Sequence, residues 1–222
     1  MTLSEPTEKH LLAHHRDFEA FALAMEAHYP GHFDALYWSF LALYGPGEPA
    51  QIVDLGTGPG LLLPDLKQRY PQSKLIGVDA QPAMLARAKE RAVSLPDTHI
   101  VAHDLATGAI PDITDGTTDL LLCSMLLHEM QVPTRLLDEA HRLLRPGGVL
   151  VLVDWMRFAL SRYAEGIRPE ELDAYQHFSE HCRYTAEDLM WLVEQSGFRI
   201  QECITRKSGA RIMLAAEKVV RA

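Results

Sequence analysis

The chain has 222 residues, 47% apolar and 23% charged, a balance that excludes a mainly disordered protein. At roughly 150 residues per domain this is one large domain or one and a half. With 21 Lys and Arg against 30 Asp and Glu the formal charge is −9, which argues against a broad phosphate-neutralising surface and therefore against nucleic acid as the partner.

Three scattered cysteines, Cys123, Cys182 and Cys203, are too few for a disulfide framework or a cysteine zinc site, and read as reduced thiols of a cytoplasmic protein. The opening MTLSEPTEKH has neither a basic start nor an apolar run, so no signal peptide is expected. No stretch approaches the roughly 18 apolar residues of a membrane span, so none is expected. The compositional oddity is 11 histidines, five of them before residue 33.

The first 44 residues read as helical. Phe18, Phe21, Met25 and His28 recur at spacings of three and four and share one helical face. Pro30-Gly31 is expected to break that helix, with a second apolar run from Phe33 to Tyr44. After the break Gly45-Pro46-Gly47-Glu48-Pro49 the rhythm becomes strand, helix, strand. Ile52 to Leu55 is a short strand ending in glycines, and Leu61 to Tyr70 a helix. Lys74 to Asp79 is a strand ending in an acid. Pro82 opens a helix to about Leu95. Ile100 to Ala102 and Asp119 to Ser124 are further strands. Val132 to Leu144 is a helix stopped by Pro146-Gly147-Gly148, and Val149 to Val153 a strand apolar on both faces, as in a buried parallel sheet. Alternation of this kind implies a parallel sheet covered on both faces by right-handed crossovers. Toward the end, Pro169 to Tyr184 and Thr185 to Gln195 read as helices, with Thr185 and Asp188 as a capping pair. Phe198 to Thr205 and Arg211 to Glu217 follow as strands, antiparallel because their link is short.

The strongest chemical signal is Val53-Asp54-Leu55-Gly56-Thr57-Gly58-Pro59-Gly60. Glycines at a strand end let a ligand approach the backbone, and in an open α/β sheet that crevice is where ligands bind. The dinucleotide fingerprint G-x-G-x-x-G fails in both registers, since Leu61 and Leu63 stand where its last glycine belongs. Acids stand there instead: Asp79 suits a ribose diol, and Asp54 repels a pyrophosphate but suits an ammonium group. The expected ligand is a nucleoside carrying a cation and little phosphate.

VDLGTGPG, GVDAQPAML, AHDL, DLLLCSMLLHEM and LLRPGGVLVLVDW, in this order, resemble the class I S-adenosylmethionine-dependent methyltransferases over about residues 50 to 217. The likeness is nearest the small-molecule branch that includes the ubiquinone/menaquinone-type methyltransferases. It implies an α/β fold, a doubly wound, mostly parallel seven-stranded sheet with the last strand antiparallel, and S-adenosyl-L-methionine as cofactor. By the same resemblance Asp54 and the backbone of Gly56, Thr57 and Gly58 hold the methionine moiety, and Asp79 binds the ribose hydroxyls. Ala80 and Met84 pack on the adenine, Asp104 accepts from its amino group with Leu105 beside it, and Ser124 lies near the sulfonium.

His128, just past the fourth strand, is the candidate catalytic base, since histidine titrates near neutral pH; the plainer reading is a helix-capping or packing residue. Asp154 and Trp155 end the fifth strand, and Trp155 is a candidate acceptor wall. His177-Phe178-Ser179-Glu180-His181 matches H-x-x-E-H, but a protease inside this region is implausible and no metal is expected; His177 and His181 are taken as acceptor contacts. Residues 1–46, with Tyr37 and Trp38 as acceptor contacts, are expected to form a helical lid, or alternatively a dimerisation arm. Residues 47–222 would form the transfer domain, with an acceptor-covering helical insertion at about 156–184. The leading functional expectation is methyl transfer to a small-molecule acceptor. The alternatives are a methyltransferase acting on protein or RNA, and a homologue that keeps the cofactor but does other chemistry.

Overall fold

The computed structural model describes residues 3–5, 7–9, 17–157, 182–206 and 209–219. After helical residues 7–9 come two helices, α1 (Phe18–His32) and α2 (Ala35–Tyr44). The core then runs β1 (Gln51–Leu55), α3 (Leu63–Arg69), β2 (Lys74–Asp79), α4 (Pro82–Ala92), β3 (Thr98–Ala102) and β4 (Thr118–Ser124). A 3-10 turn (Leu127–Glu129), α5 (Pro133–Leu143), β5 (Leu144–Trp155), α6 (Ala186–Gln195), β6 (Phe198–Arg206) and β7 (Arg211–Lys218) complete it.

The strands form one seven-stranded sheet in the order β3-β2-β1-β4-β5-β7-β6. The first five pair in parallel, and β7 is antiparallel to both β5 and β6. This is the expected doubly wound α/β fold. Alternate residues of the inner strands feed opposite faces. Val53, Leu55, Leu121, Leu150 and Leu152 pack on one side with Leu136, Leu137, Ala140 and Leu143 of α5 and with Leu189 and Val193 of α6. Ile52, Leu120, Leu122, Val149 and Val151 pack on the other with Tyr37, Phe40 and Leu41 of α2 and with Leu62 and Leu66.

Several boundaries differ from the sequence reading. α1 continues through Pro30 to His32. A proline in the last turn forfeits only one helical N–H bond there, and Phe33 N still closes the end on the Tyr29 carbonyl. The helix after the glycine turn starts at Leu63, two residues later than expected, because residues 59–62 form a turn. Pro146-Gly147-Gly148 does not precede β5 but lies within it. Leu144 already pairs with Thr118, and a register shift between Thr118 and Leu120 accommodates the extra residues. Residues 182–185 are not helical; the rest of the helix expected there, with His177 and His181, lies outside the described residues. Thr185 and Asp188 do form a capping box on α6. No described helix is long and apolar enough to cross a membrane.

Candidate active site

Strand order reverses between β1 and β4, so a crevice opens at the carboxyl ends of these strands. The chain leaves β1 through Gly56 and Gly58, at φ 72° and 54°, conformations that side chains rarely adopt. A Cβ on Gly56 would stand 2.9 Å from Leu126, and one on Gly58 3.0 Å from Met25 of α1. Gly56 N and Thr57 N both donate to the Val78 carbonyl at 2.9 Å, locking the turn to the end of β2. Asp79 braces it from the same strand, accepting from Gly58 N at 2.9 Å and from Gln81 N at 2.8 Å. The Ala80 backbone N–H also favours the charged form of Asp79, while burial pushes its pKa up. Gln81 in turn caps α4 through Ala83 N and Met84 N, which sets Met84 against the crevice.

Over this turn lies a cavity of about 1040 Å³. The ten residues expected to hold the cofactor, Asp54, Gly56, Thr57, Gly58, Asp79, Ala80, Met84, Asp104, Leu105 and Ser124, all line it. Asp54 is buried, and burial is the main reason its pKa rises to about 7; the nearby Thr57 hydroxyl offsets this and the Asp79 charge adds to it. Asp104 is only 3% exposed. Burial pushes its pKa up, but hydrogen bonds from Ser4, Ala106 and Thr7 outweigh burial and hold it below the usual carboxylate value. Ser4 N and Thr7 Oγ1 reach it at 3.0 and 3.1 Å, so the N-terminal segment already meets the acid expected at the adenine. The buried Thr57 and Ser124 hydroxyls make no hydrogen bond of good geometry among the described residues, Thr57 lying near Asp54 and Ser124 near Tyr37. A backbone cradle that a Cβ would fill, buried hydroxyls with donor and acceptor capacity to spare and a carboxylate short of a cation fit an aminoacyl nucleoside with a positive charge.

His128 and Trp155 also line the cavity; Tyr37 and Trp38 do not. Tyr37 is fully buried in the core between α2 and the sheet. Trp38 donates its indole N–H to the Phe33 carbonyl at 3.0 Å and carries Arg69 on its ring. Neither is placed to touch an acceptor, because α2 packs on the sheet while α1 faces the cavity. The residues of this region that line the cavity are instead Phe18, Phe21, Met25, His28, Tyr29 and His32 of α1. α1 is fastened over the opening by Glu19 and Glu26, which pair with Arg87 and Arg91 of α4.

His128 is not exposed as a free base. Met125, at φ 58°, turns the chain sharply after β4, and the 3-10 turn carries His128 beneath it at 7% exposure. Its Nδ1 meets Asp154 at 2.5 Å and its Nε2 meets Glu129 at 3.0 Å. Its backbone N donates to Asp154 at 3.2 Å, and Arg183 donates to its carbonyl at 3.0 Å. Burial lowers the imidazole pKa, but the Asp154 charge and hydrogen bond, then Glu129, outweigh it and raise the pKa to about 9. An imidazole so held is protonated at neutral pH. The expected base is therefore an ion-paired cation, and Asp154 is the partner that the sequence reading did not connect to it. Among the described residues no group of three His, Cys, Asp or Glu side chains is placed to hold a metal ion.

A glycine cradle with acids at successive parallel strand ends, beside a helix that lines the crevice, defines a nucleoside-binding transferase fold. The chain matches the family model described as a methyltransferase domain over residues 25–202, and it belongs to that family. It is 37% identical over 105 residues to a trans-aconitate 2-methyltransferase of Variovorax paradoxus, covering 47% of this chain and 38% of the relative. It is 32% identical over 153 residues to a malonyl-[acyl-carrier protein] O-methyltransferase of a Marinomonas species, covering 68% of this chain and 53% of the relative. The chain thus spans about half or less of the length of these relatives. A SAM-dependent methyltransferase structure from Aquifex aeolicus superposes with a TM-score of 0.71 at 22% identity, covering 91% of this chain and 99% of that one, a likeness of fold.

Proposed function

We propose that the chain binds S-adenosylmethionine along the wall of Asp54, Asp79 and Asp104 and transfers its methyl group to a small molecule held at the other end of the same cavity. The observation that carries this reading is one continuous cavity of about 1040 Å³. That is large for a single ligand site, and it joins the acid-lined glycine turn to the aromatic and basic face of α1. When bound, the cofactor supplies a methyl carbon on a positively charged sulfur, an electrophile with a good leaving group. The protein's task is then mainly alignment. Asp54 offers its carboxylate to the ammonium group, Asp79 to the ribose hydroxyls, and Asp104 to the adenine amino group. α1 acts as the lid that excludes water from the reacting end. His128, protonated between Asp154 and Glu129, ties the β4 turn to the end of β5 and fixes the cavity floor. One relative is named for the small molecule trans-aconitate, which supports a small acceptor, and the other for a malonyl group on acyl-carrier protein, which puts a small acyl group at the reacting end even where a protein carries it.

Calorimetry tests the cofactor assignment. S-adenosylhomocysteine is expected to bind and NAD is not, because Asp54 opposes a pyrophosphate at the turn; tighter binding of NAD would overturn it.

The same experiment carries a pH dependence. Asp54 has a pKa of about 7 in the protein alone. An ammonium group beside it favours the charged form and lowers that value. Binding therefore releases a proton, and S-adenosylhomocysteine should bind about 20- to 30-fold more weakly at pH 5.5 than at pH 7.5 if one proton is displaced. Asp54→Asn should remove this slope, and a flat wild-type profile would show that Asp54 does not meet the ammonium.

A further inference from the structure

Asp104 lies two residues beyond β3, the outer strand of the sheet, yet it is buried. Part of its cover comes from the far end of the chain. Ser4 N donates to Asp104 Oδ2 at 3.0 Å and Thr7 Oγ1 to Oδ1 at 3.1 Å, while Ala106 N, two residues on, donates to Oδ1 at 2.9 Å. The Ser4 hydroxyl favours the charged form of the acid as well. The two N-terminal residues also hold each other in place. Ser4 Oγ donates to Thr7 Oγ1 at 2.8 Å and accepts from Thr7 N at 3.4 Å, and Glu8 N closes the turn on the Ser4 carbonyl at 2.9 Å. Ser4, Thr7 and Asp104 all line the cavity.

A carboxylate has about four lone-pair positions. Three direct donors and a neighbouring hydroxyl take up most of them, and hydroxyls in series strengthen the bond that ends on the acid. The adenine amino group assigned to Asp104 is one donor more, so it meets an acid already engaged by the protein itself. Ala106 N belongs to the same loop as Asp104 and stays with it. Ser4 and Thr7 are free to leave: neither belongs to the two apolar clusters, so no core packing is lost when their turn moves. The geometry points to an autoinhibitory contact, in which the turn carrying Ser4 and Thr7 competes with the adenine amino group for Asp104 and is displaced when the cofactor binds. This rests on the cofactor assignment proposed above and adds a regulation of that same subsite. It also divides the N-terminal region, with this turn acting on the base and α1 on the reacting end.

Two variants loosen the turn and leave Asp104 intact. Thr7→Val keeps the shape of the side chain and removes its donor, and Ser4→Pro removes the backbone donor. In calorimetry each should tighten S-adenosylhomocysteine binding by about 2- to 10-fold, the worth of one hydrogen bond, and Thr7→Ser should bind like the wild type. S-inosylhomocysteine, with a carbonyl in place of the amino group, has no donor there for Asp104, so its dissociation constant should be the same in all four proteins. Weaker or unchanged binding of S-adenosylhomocysteine in either variant would overturn the inhibitory role, as would an equal gain for both ligands. The full wild-type chain gives a second reading should a variant not fold. By reciprocity, S-adenosylhomocysteine should speed trypsin cleavage after the exposed Lys9; slower or unaltered cleavage would overturn the contact's role. No binding of S-adenosylhomocysteine by the wild type would count instead against the cofactor assignment.

Discussion

Asp79→Ala is expected to weaken S-adenosylhomocysteine binding by about 30- to 1,000-fold, the equivalent of about 2–4 kcal/mol. The carboxylate stands at the end of β2 with one oxygen on Gly58 N and the other on Gln81 N. These backbone bonds, with one from Ala80, orient it, and the residue lines the cavity, where ribose hydroxyls would donate to a charged acceptor. Alanine removes both ribose bonds. It also leaves the Gly58 and Gln81 N–H groups without their acceptor, so a modest fall in the melting temperature should accompany the loss of affinity. A melting temperature that falls while the dissociation constant stays the same would mean that Asp79 serves only to brace the glycine turn.

The sheet was legible in the sequence because each inner strand is a short apolar run buried on both faces, and run length with glycine and proline punctuation identifies such runs where periodicity does not. The cofactor wall was legible for a related reason: its residues sit at strand ends or in the adjoining turns, so sequence position fixes their place at one rim. Helix placement was less so. The face of Phe18, Phe21, Met25 and His28 was visible as helical spacing, yet nothing in that spacing distinguishes a face on a core from a face on a cavity. The aromatic richness of α2 pointed to acceptor contacts, but burial on the sheet claims Tyr37, and local bonds claim Trp38. Arg211 carried no local signal at all. Its place beside the cavity comes from pairing with Trp155 across two strands and from contact with His32, 179 residues away. His128 and Asp154, 26 residues apart, are likewise joined only by the parallel pairing of β4 with β5.

That last pair leads to a result that separates two roles for His128. In the unfolded chain a histidine titrates near 6.5, whereas in the fold His128 titrates at about 9. The folded state therefore holds this proton more tightly. Its contribution is fully present below about pH 6.5 and is lost as the pH rises through 9, a change of about 3 kcal/mol across that window. Urea unfolding at a series of pH values should show this fall in the wild type, and His128→Gln should lack it. Asp54, whose pKa is also raised, adds a slope below about pH 7, but it is common to both proteins and cancels in their difference. His128→Ala should be worse at neutral pH, by about 3–5 kcal/mol, because Asp154, fully buried, then keeps a charge without its partner. Turnover per folded molecule should change less than about tenfold in His128→Gln, since an imidazolium bound to two carboxylates accepts no proton from an acceptor. The opposite outcome, turnover lowered by roughly 10²–10⁴ with an unaltered stability profile, is what a general base would give, and it would return His128 to the chemistry.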